Sequence, residues 1–200
     1  MKRDDVAAVI LAGGKSRRMG REKLFLDIGG QPLFERVLYP LQMLFDEVLV
    51  IANAPQQFED YRLPVYSDIY PGSALGGLYT GLARAATPWV FVCAADMPFV
   101  NASLIRYLLT QTENCDIVVP VSEQGMEPLC ACYSKRCLPV MEQALQQGQY
   151  KIIAAWEHLR VCEVAMTHLQ HLPAIETAFI NLNREEDVHY SNQLLSPQRG

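Results

Sequence analysis

No apolar run in this chain of 200 residues approaches the length of a membrane span, which excludes a helical membrane anchor within it. The opening Met1-Lys2-Arg3-Asp4-Asp5 leads straight into a short apolar stretch and lacks the layout of a signal peptide, so a cytoplasmic location is expected. The excess of cations that marks a general nucleic-acid binder is also missing. Lys and Arg number 17 against 22 Asp and Glu, a net charge of −5. The six cysteines, Cys93, Cys115, Cys130, Cys132, Cys137 and Cys162, include no C-x-x-C pair. They are expected as small buried hydrophobes rather than bridges. A zinc site built from Cys130, Cys132, Cys137 and His158 is disfavoured by strand alternation, which leaves only two thiols on one face. The familiar phosphate loops are absent as well. A P-loop requires glycine where Val9 stands, and the dinucleotide fingerprint requires glycine at Lys15.

What the chain does have is a strong signal at 6–23, VAAVILAGGKSRRMGREK. The apolar run Val6 to Ala12 is too short for an independent helix and reads as a strand buried on both faces. It breaks at Gly13-Gly14, where adjacent glycines can turn with positive φ and bring N–H groups against a ligand. Lys15, Arg17, Arg18, Arg21 and Lys23 then place five cations in nine residues, a combination suited to a polyphosphate. The plain alternative is a tight turn with a solvated basic face. A strand ending in a glycine turn is also where an open α/β sheet presents its ligand.

Half of the residues are apolar, enough for one domain with a substantial core, expected over 1–195 with a disordered polar tail over 196–200. Pro32 opens a helix whose stripe runs Leu33, Phe34, Val37, Leu38, Leu41, Leu44 and Phe45, with a kink at Pro40. Glu47 to Asn53 is a second buried strand, and Asn53 sits where its end can touch a ligand, although asparagine also favours turns. A short strand over 63–66 delivers Asp68 into the glycine-containing loop 69–77, and a helix is expected from Leu78.

Trp89 to Ala95 is the most strand-like run, and it ends in Asp96-Met97-Pro98. A carboxylate in that place is costly unless it is exposed at the sheet end or paired with a cation. We read Asp96 as a magnesium ligand, because Mg²⁺ takes one or two protein carboxylates and bridges to substrate phosphates. Asn101 is the better N-cap for the helix that follows. Further strands are expected over 116–121, 127–133 and 178–183. One helix should run from Pro139 to Gly148, and another should carry the stripe Ile152, Ile153, Trp156 and Leu159. Trp156 is expected in the core. Asn183 and Glu186 form a capping-box pattern ahead of a last helix. His158, His168 and His171 have no catalytic partner at a recognisable spacing, and His189 reads as solvated.

The run Leu11-Ala12-Gly13-Gly14-Lys15-Ser16-Arg17-Arg18-Met19-Gly20, closed by Lys23, resembles the signature of small α/β nucleotidyltransferases. Its double glycine resembles the molybdenum cofactor guanylyltransferases in particular. Asp68 with Gly72, Leu75 and Gly77, the element Asp96-Met97-Pro98, and the closing Asn181, Asn183, Glu186 and Asp187 extend the resemblance over nearly the whole chain. Ser73 and Ala74 depart from it where the family has glycine and proline, as do Arg184 and Glu185 where it has threonine and proline. The resemblance implies a Rossmann-like, three-layer α/β/α fold with a mostly parallel sheet. It also implies transfer of GMP from Mg·GTP to the phosphate of molybdopterin, with release of pyrophosphate. GTP would be held by Leu11, Ala12, Gly13, Gly14, Lys23, Asp68 and Asp96; Lys23, Arg17 and Asp96 would be catalytic, with Mg²⁺ on Asp96; Asn181 and Asn183 would help seat the pterin. The implied partners are GTP, molybdopterin or molybdenum cofactor, and a recipient molybdoenzyme or its chaperone. A sister enzyme using CTP or a sugar phosphate, and a noncatalytic pterin or nucleotide carrier, remain as alternatives.

Overall fold

The computed structural model describes residues 4–13, 23–183 and 185–195. Its centre is an eight-stranded sheet, built from β1 (Val6–Leu11), β2 (Val48–Ile51), β3 (Val65–Tyr66), β4 (Trp89–Ala94), β5 (Ile117–Ser122), β6 (Gly125–Met126), β7 (Cys130–Ser134) and β8 (Val161–Ala165), in the order β3-β2-β1-β4-β7-β5-β6 with β8 on the other edge of β5. β1 to β4 pair in parallel, as do β5 and β8, while β7 runs antiparallel between β4 and β5 and β6 closes a hairpin with β5.

All six residues of β1 are buried, because helices cover both faces of the sheet. Val6, Ala8 and Ile10 enter one core, together with the apolar stripes of α1 (Leu33–Leu44) and α3 (Ala102–Thr110). Ala7, Val9 and Leu11 enter the other, beneath α2 (Ala74–Arg84) and α4 (Leu138–Gln146). The period of two along the strand therefore becomes two packed layers, giving the expected α/β/α architecture. The short α5 (Met166–Leu169) and the final α6 (Glu185–Leu195) complete the described helices. Asn101 caps α3 by accepting from the Ser103 and Leu104 amides, and Pro40 lies inside α1.

Several local expectations fail for identifiable reasons. Residues 178–183 form no strand: the Ala178 and Ile180 amides bond three residues back, to Ile175 and Thr177, so turns take the donors a ladder would need. The stripe over 152–159 shortens to one 3-10 turn, Ile153–Trp156, because Glu157 is extended and His158 is left-handed at φ 67°. Trp156 is nonetheless buried against Tyr133, as a core residue should be. The expected loop 69–77 is helical from Ala74 onward. At the last helix the Asn183 amide donates to Asp187, not to Glu186, at 2.6 Å.

The cysteines divide. Cys93, Cys130, Cys132 and Cys137 are buried outside any disulfide, with Cys130 and Cys132 in one core and Cys137 in the other. Cys115 and Cys162 form a disulfide across Cα atoms 6.0 Å apart, contrary to expectation. The parallel pairing of β5 with β8 brings Cys115, two residues before β5, beside Cys162 in β8, a proximity that spacing alone does not reveal.

Candidate active site

At the carboxyl ends of β1, β2 and β4 the sheet opens into a cavity of about 640 Å³ lined by Leu11, Ala12, Gly13, Lys23, Asn53, Asp68, Gly77 and Asp96, among others. Its position follows from the strand order. β2 and β4 flank β1 on opposite sides, and the helices that lead into them, α1 and α2, lie on opposite faces of the sheet, which leaves a crevice at the strand ends. Backbone bonds set the floor: the Ala12 amide donates to the Ile51 carbonyl at 2.9 Å and the Ala95 amide to the Leu11 carbonyl at 3.0 Å.

One side of the cavity carries the charges. Lys23, only 6% exposed, places Nζ 3.3 Å from Oδ2 of Asp96, whose side chain is 28% exposed. A buried ammonium needs such a partner, and the pairing leaves the carboxylate with access to the cavity. Asp96 is anchored from behind, since its backbone carbonyl accepts from the Leu182 amide at 2.9 Å. Asn181 and Asn183 flank Leu182 in the sequence, yet neither lines the cavity.

The opposite side carries Asp68 and the amide of Asn53. Asp68 stands two residues beyond β3, and its Oδ1 is buried without a hydrogen-bond partner. Burial raises its pKa, against the opposing effect of a hydrogen bond from the Asn53 side chain. A Cβ added to Gly13 would lie 3.8 Å from Asn53 Nδ2 and 3.9 Å from Asp68 Oδ2. The missing methyl thus leaves room beside both groups. Gly13 does not adopt a positive φ, so its use here is space rather than an unusual turn. Ser73 caps α2 by accepting from the Gly76 amide at 3.1 Å, and Ser73, Ala74 and Gly77 bring that helix N-terminus to the cavity wall.

The donors fit magnesium better than a protein-caged metal. No group of three or more His, Cys, Asp or Glu able to hold an ion occurs among the described residues. A carboxylate such as that of Asp96 at the cavity wall suits an ion that keeps waters and takes phosphate oxygens.

The structure therefore brings Leu11, Ala12, Gly13, Lys23, Asp68 and Asp96 together around one cavity. Gly14 and Arg17 lie outside the described residues. Asn53 belongs with the site more firmly than its turn propensity suggests, and the usable signal is its place at the end of a strand neighbouring β1. Gln57 and Phe58, in the 3-10 turn Pro55–Tyr61, and Leu129 also line the cavity with no sequence signal of their own.

A sequence pattern describing the MobA-like NTP transferase domain matches residues 8–161. A probable molybdenum cofactor guanylyltransferase of Natranaerobius thermophilus is 34% identical over 96% of this chain and 97% of its own length. The molybdenum cofactor guanylyltransferase of Desulfosudis oleivorans is 33% identical over 98% of both chains. Among solved structures, molybdopterin-guanine dinucleotide biosynthesis protein A of Archaeoglobus fulgidus superposes with a TM-score of 0.81 at 25% identity, covering 95% of this chain and 98% of that one. The 2-C-methyl-D-erythritol 4-phosphate cytidylyltransferase of Thermus thermophilus shares the fold, with a TM-score of 0.72 at 17% identity over 98% and 99% of the two chains. A nucleotidyltransferase sheet with its strand-end cavity, matched by relatives along almost the whole sequence, has one consequence: this chain belongs to the MobA-like NTP transferase family and is a nucleotidyltransferase.

Proposed function

We propose that the protein transfers GMP from Mg·GTP to the terminal phosphate of molybdopterin, forming the guanine dinucleotide cofactor and pyrophosphate. The observation that carries this reading is the division of one cavity into a Lys23–Asp96 charge pair and a Gly13–Asn53–Asp68 recess. The first suits a triphosphate. The second offers a carboxylate to the paired N–H donors of guanine, or to ribose hydroxyls. The relatives named above point to the guanylyl reaction.

In this reaction an oxygen of the molybdopterin phosphate attacks the α-phosphorus of GTP as the bond to the leaving pyrophosphate breaks. The substrate supplies the nucleophile, so the protein's part is alignment and charge neutralisation. Leu11, Ala12, Gly13 and Gly14 would contribute backbone to the nucleotide, while Lys23, with Arg17, would offset charge developing on the leaving group. Asp96 would hold magnesium, which when bound would shield the charge of the triphosphate. Asn181 and Asn183 would act toward the pterin. A cytoplasmic location and hand-over to a molybdoenzyme or its chaperone accord with this reading.

The test is pyrophosphate release from each of the four ribonucleoside triphosphates with Mg²⁺ and molybdopterin, comparing wild type with Asp96→Asn. Release with GTP, lost in the variant, is the expected result. Preference for CTP would move the protein to a cytidylyl specificity, and binding without release would make it a carrier.

A further inference from the structure

The element that carries Asp68 is poorly anchored by the sheet. β3 is two residues long and sits at the sheet edge, so residues 67–73 need other restraints if Asp68 is to keep a buried oxygen aimed at a ligand. Those restraints converge on residues 69 and 70. The Ile69 amide donates to Thr80 Oγ1 at 2.9 Å, and the Tyr70 carbonyl packs where Gly76 has no Cβ. The Tyr70 ring meets Tyr79 edge-on at 5.3 Å, and its hydroxyl donates to Glu142 Oε1 at 3.3 Å. The Tyr79 hydroxyl donates to the same oxygen at 2.9 Å. Its pKa is pushed up to about 12, by burial and then by Glu142, so it remains a donor at neutral pH. One carboxylate oxygen on α4 thus ties down both α2 and the loop.

We propose that Glu142, which does not line the cavity, is a positioning residue that acts through Tyr70 to hold the Asp68 loop in its nucleotide-binding arrangement. The proposal rests on the nucleotide reading of the cavity given above. Its physical basis is preorganisation: the affinity gained from Asp68 is reduced by whatever ordering the loop must undergo on binding. Lys23 and Asp96 lie on the other side of the cavity, so loosening this loop weakens nucleotide affinity and leaves the chemical step intact.

The test compares Tyr70→Phe, Glu142→Leu, Glu142→Gln and the double variant Tyr70→Phe/Glu142→Leu in the full chain. One net hydrogen bond predicts a rise in KM for GTP of roughly three- to tenfold for Tyr70→Phe and Glu142→Leu, with kcat within about twofold of wild type. Glu142→Gln keeps an oxygen that accepts both phenols and stays near wild type. The double variant is no worse than Glu142→Leu alone, because both changes break one link. In the absence of nucleotide, amide hydrogen exchange over 68–73 accelerates in Tyr70→Phe and Glu142→Leu but not in Glu142→Gln. Unchanged KM and exchange, multiplicative effects in the double variant, or a fall in kcat at constant KM would each overturn the proposal. Tyr70→Phe removes one oxygen only and carries the test should Glu142→Leu fail to fold. If wild type releases no pyrophosphate from GTP, the nucleotide reading fails, while the exchange experiment still decides the link between Glu142 and the loop.

Discussion

Gly76→Ala sets two opposing effects against each other. In an ordinary helix, replacing glycine by alanine gains about 1 kcal/mol of helix stability. Here the new Cβ would collide with the backbone carbonyl oxygen of Tyr70 and would come within 3.3 Å of that residue's Cβ. A flexible side chain could turn away; this carbonyl cannot move freely. The residue before it donates to Thr80 Oγ1, and its own ring and hydroxyl are held by Tyr79 and Glu142. Overpacking against such a restraint costs roughly 1–3 kcal/mol, and displacing the loop loses hydrogen bonds worth about 1 kcal/mol each, together outweighing the propensity gain. Strain wins, with a net loss of roughly 2 kcal/mol. For a chain of this size that lowers Tm by roughly 4–8 °C in calorimetry, and KM for GTP rises at the same time. Gly77→Ala is the control. Its Cβ meets Asp68 Oδ1 at 3.4 Å and Leu11 at 3.6 Å, contacts that cost little in stability while altering the recess beside Asp68. A Gly76→Ala protein that melts at or above wild type, with KM unchanged, would refute the reasoning.

Four other perturbations have definite outcomes. Lys23→Ala removes the cation paired with Asp96 and should lower kcat by roughly three orders of magnitude in the pyrophosphate assay; a change confined to the apparent affinity for GTP would make Lys23 a ground-state binder. Asn53→Ala removes a hydrogen bond that favours the Asp68 carboxylate, so the acid limb of the pH–KM profile should move to higher pH, and an unmoved limb would separate the two residues. The Arg160 bonds, with Arg136 nearby, hold the Asp116 carboxyl down at about 2 from its ordinary 3.8. A depressed carboxylate adds stability above its unfolded pKa and loses it as pH falls through the folded one, so a Tm scan from about pH 4 to pH 2 should fall less steeply in Asp116→Asn than in wild type. Thiol titration of the denatured, unreduced protein should count four thiols, and six after reduction, because Cys115 and Cys162 are joined.

What was legible in the sequence was written in single residues with one dominant cause. An apolar run ended by a glycine pair or by a charge is a buried strand with its end exposed, and β1, before Gly13-Gly14, and β4, before Asp96, follow that rule into the cavity. Asp96 stood out because a carboxylate there requires a partner, and Lys23 supplies it at 3.3 Å. Residues 178–183 misled because alternation is compatible with turns as well as with a ladder. Phe179 and Leu182 are buried with a backbone that bonds to itself and to Asp96. The disulfide was invisible for a related reason: residues 47 apart become neighbours only after β8 has paired with β5.

The departure at Ser73 and Ala74 shows how a mismatch in pattern can preserve the physics. Proline favours the first helical position because its φ is preset and it lacks an amide that would go unpaired there. Serine as N-cap reaches the same end differently, accepting the Gly76 amide with its hydroxyl. Here the serine cap starts α2 at the cavity wall without the preset φ of a proline. That start matters because Gly76 follows within one turn and receives the Tyr70 carbonyl. The helix beginning, the loop and Asp68 are therefore one mechanical unit. Its remaining anchor, Glu142, lies 72 residues beyond Tyr70, and nothing local in the sequence distinguishes it from a solvated helix residue. Its role emerges only when α2 and α4 pack side by side on the sheet.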